Sequence, residues 1–281
     1  MEEFVELLVR TAVVEDMGEG DITTDSVVDG RARGEAAIVA RERLVLAGLF
    51  VAERVFRTVD DRLRVRRLAD EGSWVRRGAT VAVVKGPLAS ILKAERTALN
   101  FLQRLCAVAT LTRRFVDRTA RRGVRITDTR KTTPCMRVLE RYAVRAGGGE
   151  NHRFGLFDAV LIKDNHLAAV KVPKGGSAVA EAVRLARERH PDMSIEVETA
   201  TLAQVREAVA AGADVIMLDN MSEAKMKRAV EIVDGRALVE ISGGVTLENV
   251  ARLARLGADF ISVGALTHSA PAADLSLKIV K

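Results

Sequence analysis

From Val124 onward the chain repeats one pattern: an apolar run of strand length, a charged or glycine-bearing end, then a stretch with helical spacing. VRITDTRK leads to RVLERYAVRAGG, AVLIKDNH to SAVAEAVRLARERH, SIEVETA to LAQVREAVAAG, and ADVIMLDN to SEAKMKRAVEIV. ALVEISGG leads to TLENVARLARLG, and ADFISVGA closes the series. Short apolar runs bounded by turn residues read as strands, and apolar residues three and four apart read as helices. The turns Ala-Gly-Ala-Asp (211–214) and Leu-Gly-Ala-Asp (256–259) put glycine where a helix end favours a left-handed residue. Alternating βα units of this length imply a parallel sheet, open or closed as a barrel. No GxGxxG opens the first unit, which disfavours a dinucleotide fold and favours the barrel.

The first ninety or so residues have another texture. GEAAIVARERLVLAG alternates like a strand, GSWVRRGATVAVVKGP reads as a hairpin around its glycines, and AGLFVAERVFRTV between them is helical. Phe4, Leu7, Leu8 and Val14 recur at helical spacing and suggest an amphipathic first helix. SILKAERTALNFLQRLCAVATLTRRFVDRTARR runs without glycine or proline and predicts a long helix bridging two domains. The closing ADLSLKIVK alternates Leu275, Leu277 and Ile279 with polar partners, a strand returning to the N-terminal sheet. The expected fold is α/β: an N-terminal domain of short strands and helices over 1–104, joined by strand 270–281, and a parallel α/β barrel over 105–269.

Composition narrows the function. Lysine and arginine number 44 against 38 acidic residues in a chain of 281, with both signs spread throughout. A nucleic-acid surface would more often show a basic stripe interleaved with aromatics, and aromatics are only 4%. RVRR (64–67), Arg113/Arg114 and Arg121/Arg122 therefore read as solvated faces. Cys106 and Cys135, the only cysteines, form no CxxC pair and suggest neither a disulfide framework nor a zinc site. The acidic N-terminus carries no signal-peptide core and no apolar run has the length of a membrane span, so the expectation is a cytoplasmic protein.

Chemistry collects at the strand ends. The first supplies Thr129, Arg130 and Lys131, the second Lys163, Asp164 and His166, followed by Glu198 and Asp219. The last two supply Glu240, Ser242, Gly243, Gly244, then Val263, Gly264 and Ala265. In a parallel barrel these positions share the face where active sites are built. ISGGV and SVGAL look like glycine-bearing phosphate grips. Glu198 and Asp219 fit either a hard cation such as Mg²⁺ or ion pairs with Lys131 and Lys163. Arg130, Lys131, His152, Arg153 and Lys163 exceed the needs of one phosphate, which points to a second polyanion bearing carboxylates.

DTRKTTP, LERYAVRAGGGENHRFGLFD, LIKDNH, IEVE, IMLDN, EISGG and VGALTHS, with EDMGEGDITTD and AERTALNF upstream, resemble the quinolinate phosphoribosyltransferases in order and spacing. The resemblance implies an N-terminal α/β sandwich domain followed by an incomplete parallel α/β barrel, and a carboxylating pyrophosphorylase: quinolinate and phosphoribosyl pyrophosphate give nicotinate mononucleotide, pyrophosphate and CO2. It implies Arg130, His152, Arg153 and Lys163 around quinolinate, Arg96 reaching in from a partner subunit, and Lys131 between quinolinate and pyrophosphate. Glu198 and Asp219 would hold Mg²⁺ and the ribose region, and Ser242, Gly243, Gly244 and Val263 to Ala265 the 5′-phosphate. It also implies a homodimer with shared sites, or a higher oligomer built from it. Cys135 stands where the family usually has glycine, and so receives no catalytic role. Two alternatives are a same-fold paralogue acting on another anionic substrate and a barrel aldolase using Lys163 as a Schiff base.

Overall fold

The computed structural model describes residues 2–120 and 122–280; Arg121 of the Arg121/Arg122 pair lies outside the described residues. The chain forms two compact units, each assembled from separate stretches. One comprises the chain through Arg113, Thr132–Gly148 and the stretch from Leu266; the other comprises Arg114–Lys131 and Gly149–Ala265.

The first unit opens with α1 (Glu2–Met17), α2 (Ile22–Val27), β1 (Arg33–Ala40), β2 (Leu44–Val45), α3 (Leu49–Val59) and β3 (Arg64–Arg67). β4 (Trp74–Val75), β5 (Thr80–Pro87) and the long α4 (Leu88–Thr119) follow. On α1 the buried stripe is Val5, Val9 and Val13, while Phe4, Leu7 and Val14 are exposed. The helix is where the periodicity predicts it; the face is not, because three valines at four-residue spacing make a straighter stripe than the larger side chains. β4 and β5 form no hairpin: β4 pairs with β2, and β5 lies between β1 and β3. The N–H of Gly78 (φ +85°) donates to Ala40 O at 2.7 Å, pinning the chain after β4 onto the end of β1. β12 (Leu275–Val280) pairs antiparallel with β1, Ala40 facing Leu275 and Glu35 facing Val280. The RVRR strand is largely exposed.

α5 (Arg137–Ala146) follows the first strand of the βα series, yet it packs with the first unit. Glu140, fully buried, accepts from Arg104 Nη2 (2.6 Å) and Nε (3.0 Å), and from Thr133 Oγ1 (2.8 Å) and N (3.1 Å). A Cβ on Gly147 would stand 2.6 Å from Ala109 O and Thr112 Cβ, so the last turn of α5 meets α4 backbone to backbone. Arg113 donates to Gly147 O (2.8 Å) and Gly72 O (3.2 Å). It is a structural tie, not part of a solvated face.

The second unit holds β6 (Arg125–Thr127), β7 (Val160–Ile162), α6 (Asp164–Ala169), α7 (Ala178–Arg189), β8 (Ile195–Thr199) and α8 (Leu202–Ala210). β9 (Val215–Asp219), α9 (Glu223–Val233), β10 (Leu238–Ser242), α10 (Val250–Leu253) and β11 (Phe260–Ser262) complete it, before α11 (Ala265–His268) leads back. Its six strands are ordered β6-β11-β10-β9-β8-β7, all parallel, the sheet of an incomplete α/β barrel. The two Gly-Ala-Asp turns share one device. Gly212 (φ +75°) and Gly257 (φ +90°) follow their helices, and the aspartate two residues after each accepts from a backbone N–H at the start of the neighbouring strand. Asp214 takes Ile195 N (2.7 Å) and Asp259 takes Val239 N (2.8 Å). This fixes the register that brings the strand ends level.

Among the described residues no helix is long and apolar enough to cross a membrane.

Candidate active site

Side chains two apart on a strand share a face. Glu196 and Glu198 on β8, Met217 and Asp219 on β9, and Glu240 and Ser242 on β10 therefore pair along their strands, and all but Glu196 line one cavity of about 280 Å³. Thr129, Arg130 and Lys131 after β6, His152 and Arg153, and Lys163 after β7 line it too, with Leu161, Asn220 and Ser262. The structure thus brings together Thr129, Arg130, Lys131, His152, Arg153, Lys163, Glu198, Asp219 and Ser242.

The segment bearing His152 and Arg153 is held by an aspartate that sequence reasoning gave no role. Asp128, fully buried, accepts from His152 N (2.8 Å) and from Asn151 Nδ2 (2.6 Å). An isolated parallel bridge joins Thr127 to Glu150. DTRK and ENHR are therefore one constellation, tied by a carboxylate that satisfies the loop's donors. Arg153 donates to Ala159 O (3.2 Å), while its buried Nε has no hydrogen-bond partner among the described residues. Burial first, and the charge of Arg130 second, lower its pKa. Two half-buried cations whose charges repel each other attract an anion between them.

Lys163 caps α6, its N–H donating to His166 Nδ1 at 2.9 Å. Its ammonium meets Glu198 Oε2 at 2.7 Å. Of the two sequence alternatives for Glu198, the ion pair with Lys163 is thus present. That pairing does not remove the carboxylate from the cavity, which Asp219 shares. An ion-paired ammonium beside two carboxylates is also unsuited to the Schiff-base role, which needs a lysine that gives up its proton readily.

Past the end of β10, Gly243 (φ +86°) and Gly244 (φ +59°) take left-handed conformations. A Cβ on Gly243 would lie 2.2 Å from Asn220 Oδ1, so glycine lets Asn220 press against the turn. Asn220 in turn donates to Asp219 Oδ2 (2.8 Å) and, through its N–H, to Ser242 O (3.1 Å). After β11, the Val263 N–H already donates to Thr127 O at 3.0 Å. Its backbone donor is therefore spent inside the sheet. Arg96 is exposed on α4, in the first unit, and is not among the side chains this cavity gathers.

The deepest feature is one that spacing only partly signalled. His152 Nε2 lies 2.9 Å from Glu196 Oε2 and 3.5 Å from Glu240 Oε2. Burial works against the imidazole's charge, but Glu196, Glu240 and Asp128 outweigh it and hold its pKa above the ordinary value. The two acids thus favour the protonated form of the imidazole that stands between them. Glu240 stood among the strand-end residues; Glu196 did not, although the alternation of IEVE places it on the same face as Glu198.

A larger cavity, about 860 Å³, lies in the first unit beside Glu6, Arg10, Glu53, Arg54, Arg57 and Arg67. Its cations are answered locally, Arg10 and Arg54 by Glu6 (2.9 and 3.0 Å), Arg57 and Arg67 by Glu53 (2.7 Å each). Four arginines share two glutamates there, so every guanidinium is ion-paired although two positive charges remain in excess, and among the described residues the cavity gathers no histidine, lysine or glycine turn beside them.

The chain is similar to known proteins along nearly its whole length. Residues 21–106 match the family described as quinolinate phosphoribosyl transferase, N-terminal domain, and residues 108–278 match its C-terminal domain. A Bacillus subtilis protein named probable nicotinate-nucleotide pyrophosphorylase (carboxylating) is 41% identical over 267 residues, 95% of this chain and 90% of that protein. An Arabidopsis thaliana protein named nicotinate-nucleotide pyrophosphorylase (carboxylating), chloroplastic, is 40% identical over 290 residues, 97% of this chain and 82% of that protein. The solved nicotinate-nucleotide pyrophosphorylase of Francisella tularensis superposes with a TM-score of 0.94 at 38% identity, covering 100% of this chain and 97% of that one. With both family domains matched in order and the strand-end motifs gathered on one cavity, the chain belongs to the quinolinate phosphoribosyltransferase family.

Proposed function

We propose that this protein transfers phosphoribose from phosphoribosyl pyrophosphate to quinolinate and releases nicotinate mononucleotide, pyrophosphate and CO2, a step of NAD biosynthesis. The observation that carries this is the convergence of Arg130, Lys131, His152, Arg153 and Lys163 on a cavity that also holds Glu198 and Asp219. Both substrates are polyanions, and this many cations in one enclosure match a dicarboxylate beside a pyrophosphate better than a single anion. Arg130 and Arg153 offer planar forks for carboxylates. Lys131 and Lys163 place positive charge where the bond from the ribose anomeric carbon to pyrophosphate breaks and its electron pair departs with pyrophosphate. The ring nitrogen bonds to that carbon and becomes a pyridinium. The bond from the adjacent ring carbon to its carboxylate can then break, CO2 leaves, and the electron pair stays beside the positive nitrogen until a proton fills the position. No side chain needs to become a covalent intermediate.

Glu198 and Asp219 are the residues we assign to Mg²⁺. Two carboxylates from neighbouring strand ends are an all-oxygen donor set suited to a hard cation, with substrate phosphates completing it. Bound there, the ion would add Lewis-acid neutralisation of the pyrophosphate. Ser242, Gly243, Gly244, Gly264 and Ala265 are assigned to the 5′-phosphate. Arg96, exposed on α4, is assigned to a partner subunit's site in a homodimer, and the two free thiols suit a cytoplasmic setting.

The deciding experiment supplies Mg²⁺, phosphoribosyl pyrophosphate and either quinolinate or nicotinate, and measures nicotinate mononucleotide and CO2. Product from quinolinate alone is expected, and its loss on chelation should be reversed by Mg²⁺. Product from nicotinate alone would keep the fold and overturn the reading of the arginines. Mixing Arg96→Ala with Lys163→Ala subunits should recover activity, since one site of each hybrid dimer is intact; verified hybrids that stay inactive would rule out a shared site.

A further inference from the structure

The wall of the cavity contains acids that anion binding alone does not explain. Glu240 is 2% exposed and Glu196 7%, and both turn toward the one imidazole of His152. The second oxygen of each acid, Oε1, is buried with no hydrogen-bond partner among the described residues. Two carboxylates against one imidazolium leave the cluster one negative charge in excess. That charge stands in the lining of a cavity whose substrate, on the reading above, is a dianion. Fully ionised, the cluster would repel what the arginines attract.

We propose that Glu240 takes up a proton as the dicarboxylate binds, so that this wall is a neutral acid in the complex and anionic only in the free enzyme at higher pH. The inference rests on the quinolinate reading and assigns Glu240 as the residue that couples binding to pH. Geometry selects Glu240 over its partner. Glu196 lies closer to the imidazole, at 2.9 Å against 3.5 Å, and keeps the ion pair. Glu240 is the more deeply buried and has the weaker hold on the positive charge.

The surroundings agree. Burial first, and the charge of Glu196 second, push the Glu240 carboxyl up to about 7, against the opposing charge of His152, the nearby Ser262 hydroxyl and the charge of Lys163. The charged groups facing the cluster are Asp128 after β6, Arg153 beside His152, whose charge acts on Glu196, and Lys163 after β7, while β9 and β11 contribute uncharged Met217 and Ser262 to the cavity. Lys163 is partly committed to Glu198 at 2.7 Å, which leaves less of its charge to hold Glu240 ionised. A dianion arriving in the same small cavity raises the proton affinity of Glu240 about tenfold or more, because each added negative charge disfavours the carboxylate. By linkage, a ligand whose binding takes up a proton binds more weakly as pH rises.

The test is calorimetric titration of the intact enzyme with quinolinate, between pH 6.5 and 8.5, in buffers of small and large ionisation enthalpy. At pH 7.5 the buffer dependence of the heat should report uptake of roughly half a proton, and Kd should weaken about tenfold from pH 6.5 to 8.5. Nicotinate, with one carboxylate, should show a smaller slope. Glu240→Gln should abolish the uptake, flatten the profile and bind quinolinate at pH 8.5 more tightly than the parent. A merely structural Glu240 predicts weaker binding by that variant at every pH. A buffer-independent heat with a flat Kd in the parent enzyme, or a slope that survives Glu240→Gln, overturns the inference while leaving turnover of quinolinate, and so the substrate reading, intact. Neither turnover nor binding of quinolinate at any pH overturns both.

Discussion

At the scale of single residues, two cysteines of one chain have opposite fates. Cys106 is buried with its Sγ 3.3 Å from the Ala47 N–H, and burial pushes its thiol up to about 12. Cys135 is exposed and left-handed (φ +61°), a conformation that favours glycine. A thiol reagent should label Cys135 rapidly in the native enzyme and Cys106 only on unfolding. Cys135→Gly should stabilise by about 1 kcal/mol, read as a rise of a few degrees in Tm, because relief of the strained backbone outweighs the added freedom of the unfolded chain. Glu240 sets a pH term in stability. Its folded pKa lies near 7, above the 4.5 of the unfolded group, so the folded state holds the proton more tightly and stability declines as pH rises through that interval. Glu240→Gln should therefore match the parent in Tm at pH 4.5 and exceed it at pH 8, by on the order of 1–3 kcal/mol. Equal Tm values at pH 8 would remove the term.

At the scale of elements, α5 shows how one buried acid decides where a helix belongs. Glu140 gathers Arg104 from α4 and both donors of Thr133, so it fixes the helix and the loop before it together. Removing one partner of such a pair leaves an uncompensated buried charge. Glu140→Ala should cost about 3–5 kcal/mol in a denaturant titration, and restoring the charge balance with Arg104→Met in the same chain should recover part of it. Periodicity correctly marks α5 as a helix of the βα series in sequence order. Its partner choice is invisible there, because Arg104 and Glu140 are 36 positions apart and each alone reads as a surface charge. The same holds for β4 and β5, adjacent strands with an apparent hairpin turn that pair with different neighbours.

At the scale of the whole molecule, the chain passes between its two units four times, after Arg113, Lys131, Gly148 and Ala265, so neither unit is a continuous segment. The C-terminal strand makes this concrete. β12 covers the edge of β1 from Glu35 to Ala40, and Leu275 is 3% exposed. Deleting residues 275–281 should open the β1 edge and lower solubility and Tm together, visible as aggregation in size-exclusion chromatography. A monodisperse protein with unchanged Tm would show that β12 is dispensable.

The sequence by itself determined what is local and periodic. Six strands and most of their helices, the level of the strand ends, and the residue types gathered there all follow from spacings of two and of three to four, and the motif order identified the family. Seven candidate residues meet in one cavity because their positions at strand ends were already given by register, whereas His152 and Arg153 are brought there by Asp128. Only the tertiary structure decided which faces and partners those elements take. Val5, Val9 and Val13 rather than Phe4, Leu7 and Val14 turn inward; Arg113 ties backbone carbonyls; Val263 spends its N–H on Thr127. Glu196 and Glu240, on strands that are not neighbours, converge on His152. Each of these depends on groups far apart in the chain competing for the same buried space or the same proton, and periodicity carries no record of that competition.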